Sequence, residues 1–190
     1  MIELVAFLGN PGARYSRTRH NAGRMVLEAV SAPPEDSWRE KFHGRIADVA
    51  LEGLKCRYLV PETFMNLSGK SVAAASVFFK TPPGGLLVVH DDLEIPFGCI
   101  SLRFGGGLAG HNGLKSIRDG LGTADFGRLR IGIGRPPRGS VESWVLGRFS
   151  PDEEAALPLI MNAAARMLRE VLSKPEILMR KSGESVRVYG

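Results

Sequence analysis

Two side chains in this sequence are suited to moving protons near neutral pH. His20 stands in Thr18-Arg19-His20-Asn21, at the entrance to a helical pattern, and imidazole is the side chain whose ordinary pKa best matches that task. Asp91 follows the apolar run Leu86-Leu87-Val88-Val89 and His90. A carboxylate beside an imidazole fixes its tautomer and stabilises its protonated form. Three asparagines, Asn10, Asn66 and Asn112, stand in separate polar segments. Amides donate and accept without charge, so they can hold a peptide backbone or a developing oxyanion. Each residue alone has a plainer use, the histidine as a helix cap or surface group and the others in turns. The turn reading is sufficient for Asp92 and Glu94. Taken together, His20, Asp91 and the asparagines predict a pair that activates water, with amides around it.

Other motifs fail on inspection. Gly105-Gly106-Gly107-Leu108-Ala109-Gly110 satisfies G-x-G-x-x-G, but no strand with an acidic end follows at the spacing of a dinucleotide site. A tight turn or a close backbone approach accounts for its glycines better. Gly69-Lys70-Ser71 resembles the end of a phosphate loop, yet Phe64 occupies the place of the required first glycine. His90-Asp91-Asp92-Leu93-Glu94 has no second cluster at ligand spacing, so neither a metal nor another cofactor is expected. No G-x-S-x-G elbow presents a serine nucleophile.

The elements that must position these residues can be read from periodicity and turn signals. Residues 2–9 form an apolar strand ending at Asn10-Pro11-Gly12. Met25, Val26, Ala29 and Val30 give a helical spacing across residues 21–32, followed by a proline-containing connection over 32–36. Residues 43–51 and 54–60 read as a hairpin around Glu52-Gly53. Ser68 could cap a helix to about residue 80, which ends before Thr81-Pro82-Pro83-Gly84-Gly85. Residues 86–90, 99–104 and 126–133 read as strands, and 114–121 as a helix after the glycine-rich segment. Ser150-Pro151-Asp152-Glu153 matches a capping box opening a long helix to about residue 173. The remaining residues, 176–190, are basic and weakly patterned, and their ordering is left open. Alternating strands and helices with one hairpin predict an α/β fold: a single domain over residues 1–190 with a twisted mixed β-sheet surrounded by helices. In such sheets, loops at the carboxyl ends of strands build the site. Residues 10–21, 62–68, 91–98 and 105–113 are the segments placed to do so.

Composition sets the bounds. A chain of 190 residues with 44% hydrophobic and 24% charged residues has enough apolar mass for one core without staples. Cys56 and Cys99 have no metal-ligand or redox spacing and read as reduced thiols. The start, Met1-Ile2-Glu3, lacks a signal-peptide pattern, and no apolar run has the length of a membrane span, so a cytoplasmic protein is expected. A net charge of +5 suits a polyanionic partner without establishing one.

The sequence resembles bacterial-type peptidyl-tRNA hydrolases. The likeness is carried by Leu8-Gly9-Asn10-Pro11-Gly12 with Tyr15 and Thr18-Arg19-His20-Asn21-Ala22-Gly23; by Thr63-Phe64-Met65-Asn66-Leu67-Ser68-Gly69; by His90-Asp91-Asp92-Leu93-Glu94-Ile95-Pro96 with Gly98; by Gly105-Gly106-Gly107 with Gly110-His111-Asn112-Gly113-Leu114-Lys115-Ser116; and by Arg128-Leu129-Arg130-Ile131-Gly132-Ile133-Gly134. Val145-Leu146-Gly147 fits a later block, and beyond residue 149 only helical character matches. The resemblance implies an ester hydrolase, monomeric and free of cofactors, that acts at the 3′ acceptor end of peptidyl-tRNA. It implies His20 as general base and Asp91 as its orienting partner. Met65 with Asn66, and Asn112, would hold the peptidyl main chain or the oxyanion. Asn10 would position the substrate near the scissile bond, and Tyr15 would hold the tRNA 3′ end. Arg103, Lys115 and Arg130 match a basic patch for tRNA. Ser101 departs from the pattern, standing where many members carry lysine, which predicts more salt-sensitive tRNA contact unless Arg135 or Arg138 compensates. Two alternatives stay open: an RNA-binding module without turnover, resembling organellar splicing factors, and a general esterase indifferent to tRNA.

Overall fold

A computed structural model describes residues 1–30, 33–51 and 54–190. The chain order is β1 (Leu4–Phe7), α1 (Ala22–Ala29), β2 (Arg39–Lys41), β3 (Gly44–Leu51), β4 (Leu54–Pro61), α2 (Ser68–Phe79), β5 (Leu86–Asp92), β6 (Cys99–Phe104), α3 (Asn112–Leu121), β7 (Gly127–Gly132), α4 (Val141–Leu146), α5 (Pro151–Ser173), α6 (Glu176–Arg180) and β8 (Ser185–Arg187), with short 3-10 turns between them. The strands form one mixed sheet in the order β2-β3-β4-β1-β5-β7-β6-β8. The four central strands, β4, β1, β5 and β7, run parallel to one another, and β2, β3, β6 and β8 pair antiparallel on the two flanks. Among the described residues no helix is long and apolar enough to cross a membrane.

Both faces of the central strands are covered, which is why β1 and β5 read as unbroken apolar runs. Val5 and Phe7 of β1, Leu87 and Val89 of β5, and Leu129 and Ile131 of β7 join α1 and α5 in one core. Leu4 and Ala6, with Leu86 and Val88, point the other way and meet Val72 and Ala75 of α2 and Leu114 and Ile117 of α3. Each such fully buried Leu, Val or Phe contributes about 1.5–3 kcal/mol of burial free energy. The capping box at Ser150 and Glu153 is formed, with Pro151 in the first turn of α5.

Several boundaries differ from the sequence reading. The first helix stops at Ala29 because Val30 is already extended, at φ −79° and ψ 157°. Glu52-Gly53 and part of the 32–36 connection lie outside the described residues. Ser68 does not cap α2; its hydroxyl donates to the Met65 carbonyl at 2.8 Å. The same helix ends on Lys80 in the left-handed region (φ 55°), a conformation usually left to glycine. Residues 176–190 include α6 and β8, and β8 pairs antiparallel with β6 at the sheet edge.

Candidate active site

The carboxyl ends of β1, β4 and β5 meet beside the amino-terminal ends of α1, α2 and α3. Asp91, the sixth residue of β5, is 1% exposed, and the turn before α1 brings His20 over it. His20 Nδ1 lies 2.9 and 3.0 Å from the two carboxylate oxygens. A carboxylate only accepts, so Nδ1 carries the proton and Nε2 is the basic nitrogen. Burial lowers the pKa of His20, but attraction to Asp91 and the hydrogen bond to it outweigh burial, and the net shift is upward from 6.5.

The structure adds a residue to which the sequence reading gave no role. His111 Nε2 lies 3.0 Å from Asp91 Oδ1. Its Nδ1 accepts from the backbone N–H groups of Gly113 (3.1 Å) and Leu114 (3.3 Å), capping α3. An Nδ1 that accepts two N–H groups is unprotonated, so Nε2 carries the proton and donates to Asp91. Burial would raise the Asp91 pKa, yet the two imidazoles hold it well below the usual carboxylate range. The flanking His90 is fully buried and donates from Nδ1 to the Asp91 carbonyl at 2.6 Å. Burial, with His111 nearby, pushes its pKa down to about 3, so it stays neutral.

His20, Asp91 and His111 place ligand-type atoms within 4.8 Å of one another, the one such cluster among the described residues. Their hydrogen bonding does not suit a cation. To ligate through Nε2, neutral His111 would have to carry its proton on Nδ1, against the two N–H donors of Gly113 and Leu114.

The asparagines divide into a floor and a rim. Asn10 is 6% exposed. Its backbone exchanges hydrogen bonds with the Asn21 side chain at 2.9 and 3.0 Å, and its Oδ1 accepts from Met65 N at 2.7 Å. With the oxygen engaged, the amide NH2 is what Asn10 can offer a ligand. Asn66 and Asn112 are exposed and line the same cleft of about 720 Å³, with Tyr15, His20, Met65, Asp91 and His111. Tyr15 sets its ring edge-on to Phe64 at 6.4 Å. Buried Met65 packs closely on Gly113, where a Cβ would lie 2.6 Å from its sulfur and the thioether would have to shift. Helices α2 and α3 touch through backbone: a Cβ on Gly69 would lie 2.0 Å from the Ser116 carbonyl oxygen, and Gly69 N donates to Ser116 Oγ at 2.9 Å. Another wall of the cleft is α4, through Val141, Glu142, Val145 and Leu146.

The basic residues do not form one open patch. Alternation along β7 turns Arg128 and Arg130 to the sheet face that carries Asp92, away from the α1 side. Arg130 is 8% exposed, and its Nε donates to Asp92 Oδ2 at 2.8 Å. Asp92 is therefore more than a turn residue, although its other oxygen does accept from Glu94 N at 2.8 Å. Arg128 is fully buried and donates to the carbonyls of Gly105 and Gly107, clamping the glycine loop. Gly105 and Gly106 have φ of 60° and 77°, so the loop is a tight turn. Ser101 is buried and donates to the Glu184 carbonyl at 2.6 Å, under the segment leading into β8. Arg103 is half-buried, Lys115 and Arg138 are exposed, and Arg135 is paired with Glu94.

Known proteins resemble this chain along nearly its whole length. The family model for peptidyl-tRNA hydrolase matches residues 4–187. A peptidyl-tRNA hydrolase of Treponema pallidum is 51% identical over 176 residues, covering 90% of this chain and 87% of that protein. One from Geotalea daltonii is 46% identical, covering 91% of each. The crystal structure of peptidyl-tRNA hydrolase from Acinetobacter baumannii superposes with a TM-score of 0.81 at 35% identity, covering 95% of this chain and 92% of that one. With the fold and the sequence in agreement, this chain belongs to the peptidyl-tRNA hydrolase family.

Proposed function

We propose that this chain hydrolyses the ester joining a peptide to the terminal ribose of tRNA, with His20 as general base. The observation that carries the reading is the buried His20–Asp91 pair, at 2.9 Å, on the floor of a cleft lined by three amides. His20 Nε2 takes a proton from water as the oxygen adds to the ester carbonyl carbon. Asp91 holds the ring and balances the imidazolium. The tetrahedral oxyanion is met by amide N–H groups, from Asn66 or Asn112 at the rim. Asn10 sets the substrate against the scissile bond. Collapse expels the ribose oxygen, which takes the proton back from His20, leaving a free tRNA hydroxyl and a peptide carboxylic acid that loses its proton to water.

The magnitudes suffice for an activated ester. A positioned general base is worth about 10²–10⁴-fold, and one oxyanion donor about 10²–10³-fold. Tyr15 offers an aromatic face to the 3′ end. Arg103 and Lys115 offer charge to the phosphates, and Arg130, already paired with Asp92, stands behind them on the same face.

The test is cleavage of N-acetyl-aminoacyl-tRNA and unblocked aminoacyl-tRNA in EDTA, by the wild type and by His20→Ala. Release of the blocked amino acid alone, lost in the variant, is expected. A folded wild type that binds tRNA and releases nothing would move the reading to an RNA-binding module. Turnover of small esters that ignores tRNA and salt would move it to a general esterase.

A further inference from the structure

Helix α4 has only six residues, and the segment before it contains Pro136, Pro137 and Gly139. A helix this short does not hold itself in water. Yet it forms a wall of the cleft, and Val141 and Leu146 remain 41% and 37% exposed there. Something outside the helix must fix it.

The fixing contacts converge on Trp144 and on the residue next to His20. The Trp144 indole N–H donates to the Gly134 carbonyl at 2.9 Å. Its ring is covered by the Arg19 guanidinium, whose carbon lies 3.7 Å from the ring centroid and 5.1 Å from that of Phe149. Arg19 is 5% exposed, so this cation–π contact is largely desolvated. The same guanidinium donates to Glu153 Oε2 at 2.7 Å and to the Arg148 carbonyl, and Arg19 N donates to the Gly147 carbonyl at 3.0 Å. Glu153 Oε2 also accepts from Ser150 N at 2.7 Å, tying the start of α5 to the same point. One side chain thus joins the end of α4, the start of α5 and the turn that carries His20.

We infer that Arg19 is a positioning residue that pins α4 as the peptide-facing wall of the cleft, at a set distance from His20. This rests on the hydrolase reading above. The guanidinium is suited to the task because it is planar and always charged: one face lies on the indole while its edge donates to the Glu153 carboxylate and the Arg148 carbonyl. Lysine would keep the charge and lose the stacking face.

The test compares Arg19→Lys, Trp144→Ala and Trp144→Phe with the wild type on N-acetyl-aminoacyl-tRNA, well below each thermal midpoint. Arg19→Lys and Trp144→Ala are expected to raise KM about tenfold with kcat held within about twofold, because the lost contact shapes substrate binding. The pH midpoint of kcat should not move, and Trp144→Phe should restore most of the KM. A fall in thermal midpoint alone, with KM unchanged, would reduce Arg19 to a structural role and overturn the inference. So would a loss confined to kcat. An arm that needs no turnover uses a Trp38→Phe background, where Trp144 is the remaining tryptophan. There Arg19→Lys should shift the emission to longer wavelength, and an unchanged spectrum would show that the pin is not made. If the wild type cleaves no peptidyl-tRNA, the hydrolase reading itself falls, and the emission arm still decides the pin.

Discussion

Asp91 and Asp92 are neighbours on one strand, 1% and 4% exposed, and they face opposite sides of the sheet. Asp91 is shared by two imidazoles at 2.9 and 3.0 Å. Asp92 holds one guanidinium at 2.8 Å. Burial alone would raise the pKa of both carboxyls, and in both the partners outweigh it and lower it. The difference lies in what the partner can do. An arginine keeps its proton at any accessible pH, so the Asp92 pair is a fixed strut. An imidazole changes charge near neutrality, so the Asp91 pair can respond to a reaction. The chemistry of a buried carboxylate is decided by the pKa range of its partner more than by its own.

This contrast can be broken at four places, in falling order of effect on turnover. Asp91→Asn should lower kcat by up to about 10⁴-fold, because an amide no longer enforces the Nδ1–H tautomer. It should also move the pH profile. With His20 as the proposed base, turnover depends on neutral His20, so the wild-type rate is expected to rise with pH through a midpoint above 6.5. Without the Asp91 charge, burial is unopposed, and the midpoint should fall below 6.5. An unshifted midpoint in the variant would separate His20 from the observed titration.

His111→Ala should cost about tenfold in kcat at neutral pH and shift the midpoint the other way. Asp91 then spends its charge on one imidazole instead of two, so His20 holds its proton more tightly. The variant also loses the cap of α3, worth about 0.5–2 kcal/mol by denaturant unfolding. Asp92→Asn is expected to leave kcat within about threefold while lowering stability by about 3–5 kcal/mol, the cost of stranding Arg130 at 8% exposure. A large kcat loss with intact stability would place Asp92 in the chemistry. Lys115→Gln, at the exposed limit, should change only the tRNA-dependent KM a few-fold and reduce the slope of log affinity against log salt by about 1. A salt slope that stays unchanged would exclude Lys115 from phosphate contact.

The sequence made His20 and Asp91 legible because their chemistry is uncommon and their positions follow turn and strand signals. It hid His111 although that residue stands in a recognisable stretch, Gly110-His111-Asn112-Gly113. A histidine before a helix looks the same whether its second nitrogen meets solvent or a carboxylate 20 positions away. The α/β sheet and the long helix α5 were readable from period and capping. The short elements β2, α4 and β8 were not: β2 is three residues paired across a tight turn, Arg39 with Ile46, and α4 and β8 are held by distant segments, Trp144 by Arg19 and Val186 by Ile100. Arg130 shows the same limit. Alternation assigns its side of the strand, but nothing local says that Asp92 awaits it there and that the loop over 95–98 closes nearby.

The backbone contact between Gly69 and Ser116 sets a tolerance. Asn66 lies just ahead of α2 and Asn112 opens α3, so the two rim amides are mounted at the starts of helices whose backbones touch at Gly69. They behave as the jaws of a fixed caliper, whose gap is set at its hinge. A single methyl at residue 69 would have to spread the helices to gain room from the Ser116 carbonyl. The gauge would then be cut to a different width, and with the proposed amide roles substrates would be sorted differently, with neither asparagine touched.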